Sequence, residues 1–178
     1  MKKINVIIKG IAPLLQNRFP IEDYGANRSK AKKKIYVPEE EAKKSLYQNE
    51  QIGIYEPSEH ILASMIKSAT KFIFEGKKTY KDIISTSVLV EPECIPLTTN
   101  KPYIIDKRSV VIGRARIVRS RPRFEDWQLE FTITILDEQN ISPSTIKEIL
   151  DVAGNSGIGD YRPRFGRFQV IKFEEIKI

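Results

Sequence analysis

Chemistry on a substrate needs nucleophiles, bases or metal ligands, and this sequence holds few of them: one histidine, His60, and one cysteine, Cys94. A zinc site or a Cys/His pair would therefore need carboxylates or a second chain to complete it, and neither a metal nor a cofactor is expected. His60 falls in the first turn of an expected helix, where the positive end of the helix dipole favours the neutral imidazole. That state suits a general base, but it equally suits a surface residue, which is the preferred reading because no partner is visible in the sequence. Asp23, Tyr24 and Tyr161 could serve in chemistry on RNA, yet their spacing does not single them out. Cys94 reads as packing.

Arginine is the residue type that does stand out. Between Lys107 and Arg123 lie seven basic residues and no acidic one, so this window carries a charge equal to the net charge of +7 of the whole 178-residue chain. Arg28 to Lys34, with Lys32, Lys33 and Lys34, form a second basic group, and Arg162, Arg164 and Arg167 a third. Acidic patches such as Glu39 to Glu41 and Glu174 with Glu175 balance these elsewhere. Charge segregated in this way is what a footprint on a polyanion requires, and arginine's planar fork grips phosphate oxygens in pairs where lysine is only a point charge. The competing reading is a solvated face, or basic residues that protect an edge strand from unwanted pairing.

The segment Gly154 to Phe168 joins glycines to three arginines. Glycines at 157 and 159 let backbone amides face a ligand without a side chain in the way, and Arg162, Arg164 and Arg167 supply counter-charge, which together suit a phosphodiester backbone. The segment is not a dinucleotide fingerprint, because it follows an expected helix and leads into a strand. Gly76-Lys77-Lys78-Thr79 is not a P-loop either, since Lys71 stands where the first glycine belongs.

The elements that must position these residues follow from periodicity. Ile4 to Lys9 reads as a buried strand. Ile61, Leu62, Met65, Ile66, Ala69, Phe72 and Ile73 share a helical face, with Ser58 expected as its cap and Gly76 as its end. Ser109 to Arg119 and Trp127 to Leu136 are expected to pair as a hairpin. In the second strand Trp127, Leu129, Phe131, Ile133 and Ile135 alternate with polar residues. Arg114 and Arg116 then share one face, and Arg119, Arg121 and Arg123 continue into the connection. Ser142 and Pro143 open a helix carrying Ile146, Ile149, Leu150 and Ala153, with Gly154 expected as its stop, and a last strand covers about Arg167 to Ile176.

This order predicts an α+β, ferredoxin-like βαββαβ domain spanning residues 1–178. Two long insertions interrupt it, at about 11–57, with a short helix expected over Glu39 to Leu46, and at about 77–108. The polar face of the strand beginning at Trp127 offers Gln128, Glu130, Thr132 and Thr134 and no ring, which disfavours base stacking on an open sheet. The longest stretches without a charged residue are eight residues, far short of the ~20 that span a bilayer. No small-residue cleavage site follows the first strand and Cys94 has no internal disulfide partner, so a cytoplasmic protein is expected.

Three segments together resemble the CRISPR-associated RAMP superfamily (repeat-associated mysterious proteins), in particular the subunits that line guide RNA. They are the opening strand running into Ile11-Ala-Pro-Leu-Leu, the entry Ile54-Tyr-Glu-Pro-Ser58 to the first long helix, and the closing run Gly157-Ile-Gly159 to Arg164-Phe-Gly166-Arg-Phe168. Glu56 and Glu59 depart from the residues common there, and the two insertions are unmatched. The resemblance implies a modified RNA-recognition-motif fold whose glycine-rich loop and basic surfaces hold single-stranded RNA by its backbone, within an oligomer or a larger ribonucleoprotein. Some members cut RNA with an early-loop aspartate, which would fall on Asp23, and processing members use histidines, for which His60 is the candidate. A non-catalytic RNA-binding subunit is the expectation; a metal-independent endoribonuclease and a structural, protein-binding subunit are the alternatives.

Overall fold

A computed structural model describes residues 1–21 and 36–176, and within these the side chain of Ile112 is left aside. The first half comprises β1 (Lys2–Gly10), β2 (Leu14–Leu15), α1 (Pro38–Lys44), β3 (Gln48–Asn49), β4 (Gly53–Pro57), α2 (Ser58–Ala69), β5 (Ile73–Glu75) and β6 (Lys78–Thr79). The second comprises α3 (Lys81–Ser87), β7 (Val88–Glu91), β8 (Cys94–Thr98), β9 (Ile104–Ile112), β10 (Ala115–Phe124), β11 (Gln128–Ile135), α4 (Pro143–Ser156) and β12 (Phe168–Ile176). The architecture is mixed α+β, with antiparallel sheets and four helices among the described residues.

The apolar side of β1, Ile4, Val6 and Ile8, is fully buried, as are Leu129, Ile133 and Ile135 of β11. β1 lies between β12 and β11, antiparallel to both, so the alternating sequence of β11 fixes which of its faces meets the core. Ile61 and Met65 of α2 and Ile146, Ile149, Leu150 and Ala153 of α4 close over that face. Each large aliphatic side chain buried there contributes roughly 1.5–3 kcal/mol relative to exposure. Ser64 ties the two helices together: its hydroxyl donates to the carbonyl oxygens of Ala153 and Gly157 at 3.3 and 3.0 Å. On the opposite face, β1, β11 and β12 present Asn5, Ile7, Glu130, Thr132, Lys172 and Glu174 and no aromatic ring.

The strand that pairs with β11 is not the arginine strand. β7 takes Thr132 to Ile135 and β8 takes Gln128 and Leu129, while β10 pairs instead with β9 from Ala115–Ile112 to Arg123–Ile104. The reason lies in burial: Val88 and Val90 of β7 are buried and deliver apolar side chains to the core, whereas Arg114, Ala115 and Arg116 are exposed. β9 and β10 form a separate ribbon, joined through Arg123 and Phe124 to β2. Thus Val88–Glu91, inside the segment read as the second insertion, belongs to the main sheet.

Three helix ends also differ from expectation. Ser58 is the first residue of α2 rather than its cap: Pro57 precedes the helix without a capping side chain, and the Ser58 amide donates to the Glu93 carbonyl. α2 ends at Ala69, and Gly76 turns between β5 and β6 instead. α4 runs through Gly154 to Ser156 and ends on Gly157, which adopts φ 78°, while Ser142 caps its start by accepting from the Thr145 amide at 3.1 Å. The short helix expected over 39–46 forms at Pro38–Lys44.

Candidate nucleic-acid interface

After α4 the chain closes a tight loop before entering β12, and backbone hydrogen bonds hold that loop against β2. The Asp160 amide donates to the Leu15 carbonyl and the Gly166 amide to the Pro13 carbonyl, both at 2.8 Å; the Ile158 amide donates across the loop to Gly166 at 3.0 Å. Gly166 must be glycine: its φ is 72°, and a Cβ there would sit 1.8 Å from the Ile158 carbonyl oxygen. The glycines therefore serve close backbone packing. The Gly157 amide is spent on the Ala153 carbonyl at 2.8 Å, so it does not face a ligand.

The same loop meets the β9–β10 ribbon. Arg121 pairs with Asp160 at 3.0 Å. The Arg108 guanidinium lies 5.3 Å from the Tyr161 ring centre and 4.7 Å from that of Phe165, and Arg123 approaches Phe165 at 5.5 Å. Asp106 accepts two hydrogen bonds from Arg108, at 2.5 and 2.9 Å, and these push the Arg108 pKa further up, so the guanidinium over the rings stays charged. At its other side the ribbon is fastened to α1 by Glu41, which accepts from Arg119 at 2.7 Å and from the Ser120 amide at 2.8 Å. Two segments about forty residues apart in sequence thus meet along one seam.

Within that surface the arginines divide. Arg119 faces Glu41, Arg121 faces Asp160, and Arg123 faces Glu125 at 2.7 Å and Asp106 at 3.5 Å. Arg114, Arg116, Arg162 and Arg164 are exposed and have no ion-pair partner among the described residues. Arg167 is braced by donating its Nε hydrogen to the Pro163 carbonyl at 2.7 Å. Tyr161 adopts a left-handed φ of 58°, and its ring is about half exposed beside Arg162. Lys32, Lys33, Lys34 and Asp23 lie outside the described residues.

No family model and no curated protein matches the sequence. The fold is similar to a chain in the cryo-EM structure of the type III-B Cmr-beta bound to cognate target RNA, with a TM-score of 0.57 and 12% identity. The match covers 99% of the present chain and 61% of that one, so the chain spans about three fifths of its neighbour's length. Among the described residues no helix is long and apolar enough to cross a membrane.

His60 is not the isolated residue that the sequence suggested. Its Nδ1 lies 2.5 Å from Oε1 of Glu56, a fully buried carboxylate, which leaves Nε2 on the other side of the ring. Oε2 of Glu56 accepts from the side-chain amide of Gln16 at 2.9 Å, and the same amide nitrogen donates to the Tyr55 carbonyl at 2.8 Å. Gln16 in turn accepts from the Tyr47 amide at 3.1 Å, and the Tyr47 ring meets the imidazole edge-on at 5.4 Å. Burial together with the Glu56 charge pushes the Tyr47 pKa up, so its phenol stays protonated. The i,i+4 spacing of Glu56 and His60 was present in the sequence, but Pro57 hid it by placing the glutamate on a strand and the histidine on a helix.

Proposed function

We propose that this chain is a single-stranded RNA-binding subunit of the RAMP type that grips the phosphate backbone through the β9–β10 ribbon and the glycine-arginine loop. The spatial order β12, β1, β11, β7, with α2 and α4 on one face, supports a ferredoxin-like domain interrupted by insertions. The observation that carries the functional reading is the seam of Arg121 on Asp160 and Arg108 over Tyr161 and Phe165. It joins the two segments, distant in sequence, that carry the exposed arginines. Arg114, Arg116, Arg162, Arg164 and Arg167 then contact phosphates, while Arg119, Arg121 and Arg123 chiefly hold the surface in shape. Such contacts position a strand without reading its bases, so sequence preference is weak. The likeness to a chain of an RNA-bound type III-B assembly supports an RNA partner within a larger CRISPR ribonucleoprotein in the cytoplasm.

The test is binding of the purified chain to labelled single-stranded RNA, single-stranded DNA and duplex across a salt series. Salt-sensitive binding that favours single strands and weakens when Arg162, Arg164 and Arg167 are replaced together is expected; no binding at low salt overturns the reading. One observation favours a second reading. The buried Glu56 that orients His60 is the arrangement a general base needs, and it supports a metal-independent endoribonuclease. Cleaved RNA in the same assay, lost in His60→Ala, would move the assignment there.

A further inference from the structure

Lys67 stands in the last turn of α2 and Lys71 just beyond the helix, both exposed. Facing them are Asn155 and Ser156 at the end of α4, and Arg162, Pro163 and Arg167 of the loop, and together these line a groove of about 300 Å³. The groove collects four cationic side chains from two segments and no acidic one. None of the four has an ion-pair partner among the described residues, and Arg167 is already oriented by Pro163. Cations near a helix C-terminus complement its dipole, which accounts for the two lysines but not for two arginines brought to the same concavity from a different segment. Like charges held together in a cleft repel one another and concentrate field lines on whatever anion enters.

We propose that this groove is a phosphate-binding site in which Lys67 and Lys71, on α2, extend the RNA interface of the arginine loop across the ends of both long helices. The proposal rests on the RNA-binding reading above and adds a path: the strand leaves the loop over the helix ends and avoids the sheet face that carries Glu130 and Glu174. The ligand is a phosphate group, either an internal phosphodiester or the terminal phosphate of the strand.

The test compares the full chain with K67Q/K71Q, using a short single-stranded RNA made with and without a 5′-phosphate. Each phosphate contact on a single strand contributes about 0.7 to the slope of log affinity against log salt, so the double substitution should lower the slope's magnitude by about 1.4. Affinity at moderate salt should fall on the order of tenfold, with the thermal midpoint unchanged. K77Q/K78Q, in the turn between β5 and β6 and at the start of β6, outside the groove, should leave the slope as it was. A difference between wild type and K67Q/K71Q that exists only on 5′-phosphorylated RNA assigns the site to a terminal phosphate, and one that is independent of it assigns a phosphodiester. Wild-type binding with an unchanged slope in K67Q/K71Q overturns the groove and leaves the RNA reading intact. Absence of wild-type binding overturns the RNA reading. In that event, thermal stabilisation by inorganic tripolyphosphate, lost in K67Q/K71Q, still supports a phosphate site, and no stabilisation overturns it.

Discussion

Glu56 is a carboxylate without solvent exposure, and it keeps its place because two donors, the imidazole of His60 and the side-chain amide of Gln16, reach its two oxygens. Removing one partner of such a group costs more than the hydrogen bond itself, because the charge remains buried and short of a donor. Gln16→Leu deletes that donor together with the links to Tyr55 and Tyr47, and should lower stability by ~2–4 kcal/mol. Urea denaturation midpoints measure this; a loss below that of an ordinary surface substitution would mean that the network is not holding Glu56. His60 itself was legible as a candidate from its uniqueness and helix position. Its partner Glu56 was masked by the strand-to-helix change at Pro57, and Gln16, which holds the other oxygen of Glu56, lies forty residues upstream, so only folding brings it in.

Elements were legible where burial forces a period and obscure where the pattern is short. β1, α2, β11, α4 and β12 each carry a sustained apolar face, and all five form near their expected positions. β7 is only four residues long, so its alternation of buried and exposed positions was overshadowed by the longer arginine-bearing strand, which pairs with β9 instead. The glycine loop was legible as unusual, but its packing was not: the amides of Gly157, Ile158, Asp160 and Gly166 bond to Ala153, Gly166, Leu15 and Pro13, which ties the loop to α4, to itself and to the chain around β2. Gly166→Ala tests this directly, since the new methyl would collide with the Ile158 carbonyl at a left-handed backbone position. The expected cost is ~2–4 kcal/mol, from strain and overpacking together. Because the loop carries Arg162, Arg164 and Arg167, RNA affinity should fall with it, whereas a chain that keeps its thermal midpoint in Gly166→Ala would show that the loop is not pinned as described.

For the whole molecule, the count of basic residues overstates the charge available to a polyanion. The window from Lys107 to Arg123 holds seven cations, yet Arg119, Arg121 and Arg123 face Glu41, Asp160, Asp106 and Glu125, and Arg108 is spent on Asp106 and two aromatic rings. The cations of the ribbon tip, the loop and the groove without such partners among the described residues are Arg114, Arg116, Arg162, Arg164, Arg167, Lys67 and Lys71. A single strand engaging all seven side chains would give a salt slope of about −5, at about 0.7 per contact. The division into contacting and holding arginines then predicts unequal effects per charge removed. Replacing Arg114 and Arg116 together with glutamine should reduce the slope's magnitude by about 1.4, whereas Arg119→Gln should leave it nearly unchanged and instead loosen the ribbon from α1. Equal slope losses per charge at all three positions would show that Arg119 leaves Glu41 to meet the RNA. The footprint would then be set by total charge rather than by which cations the fold leaves unpaired.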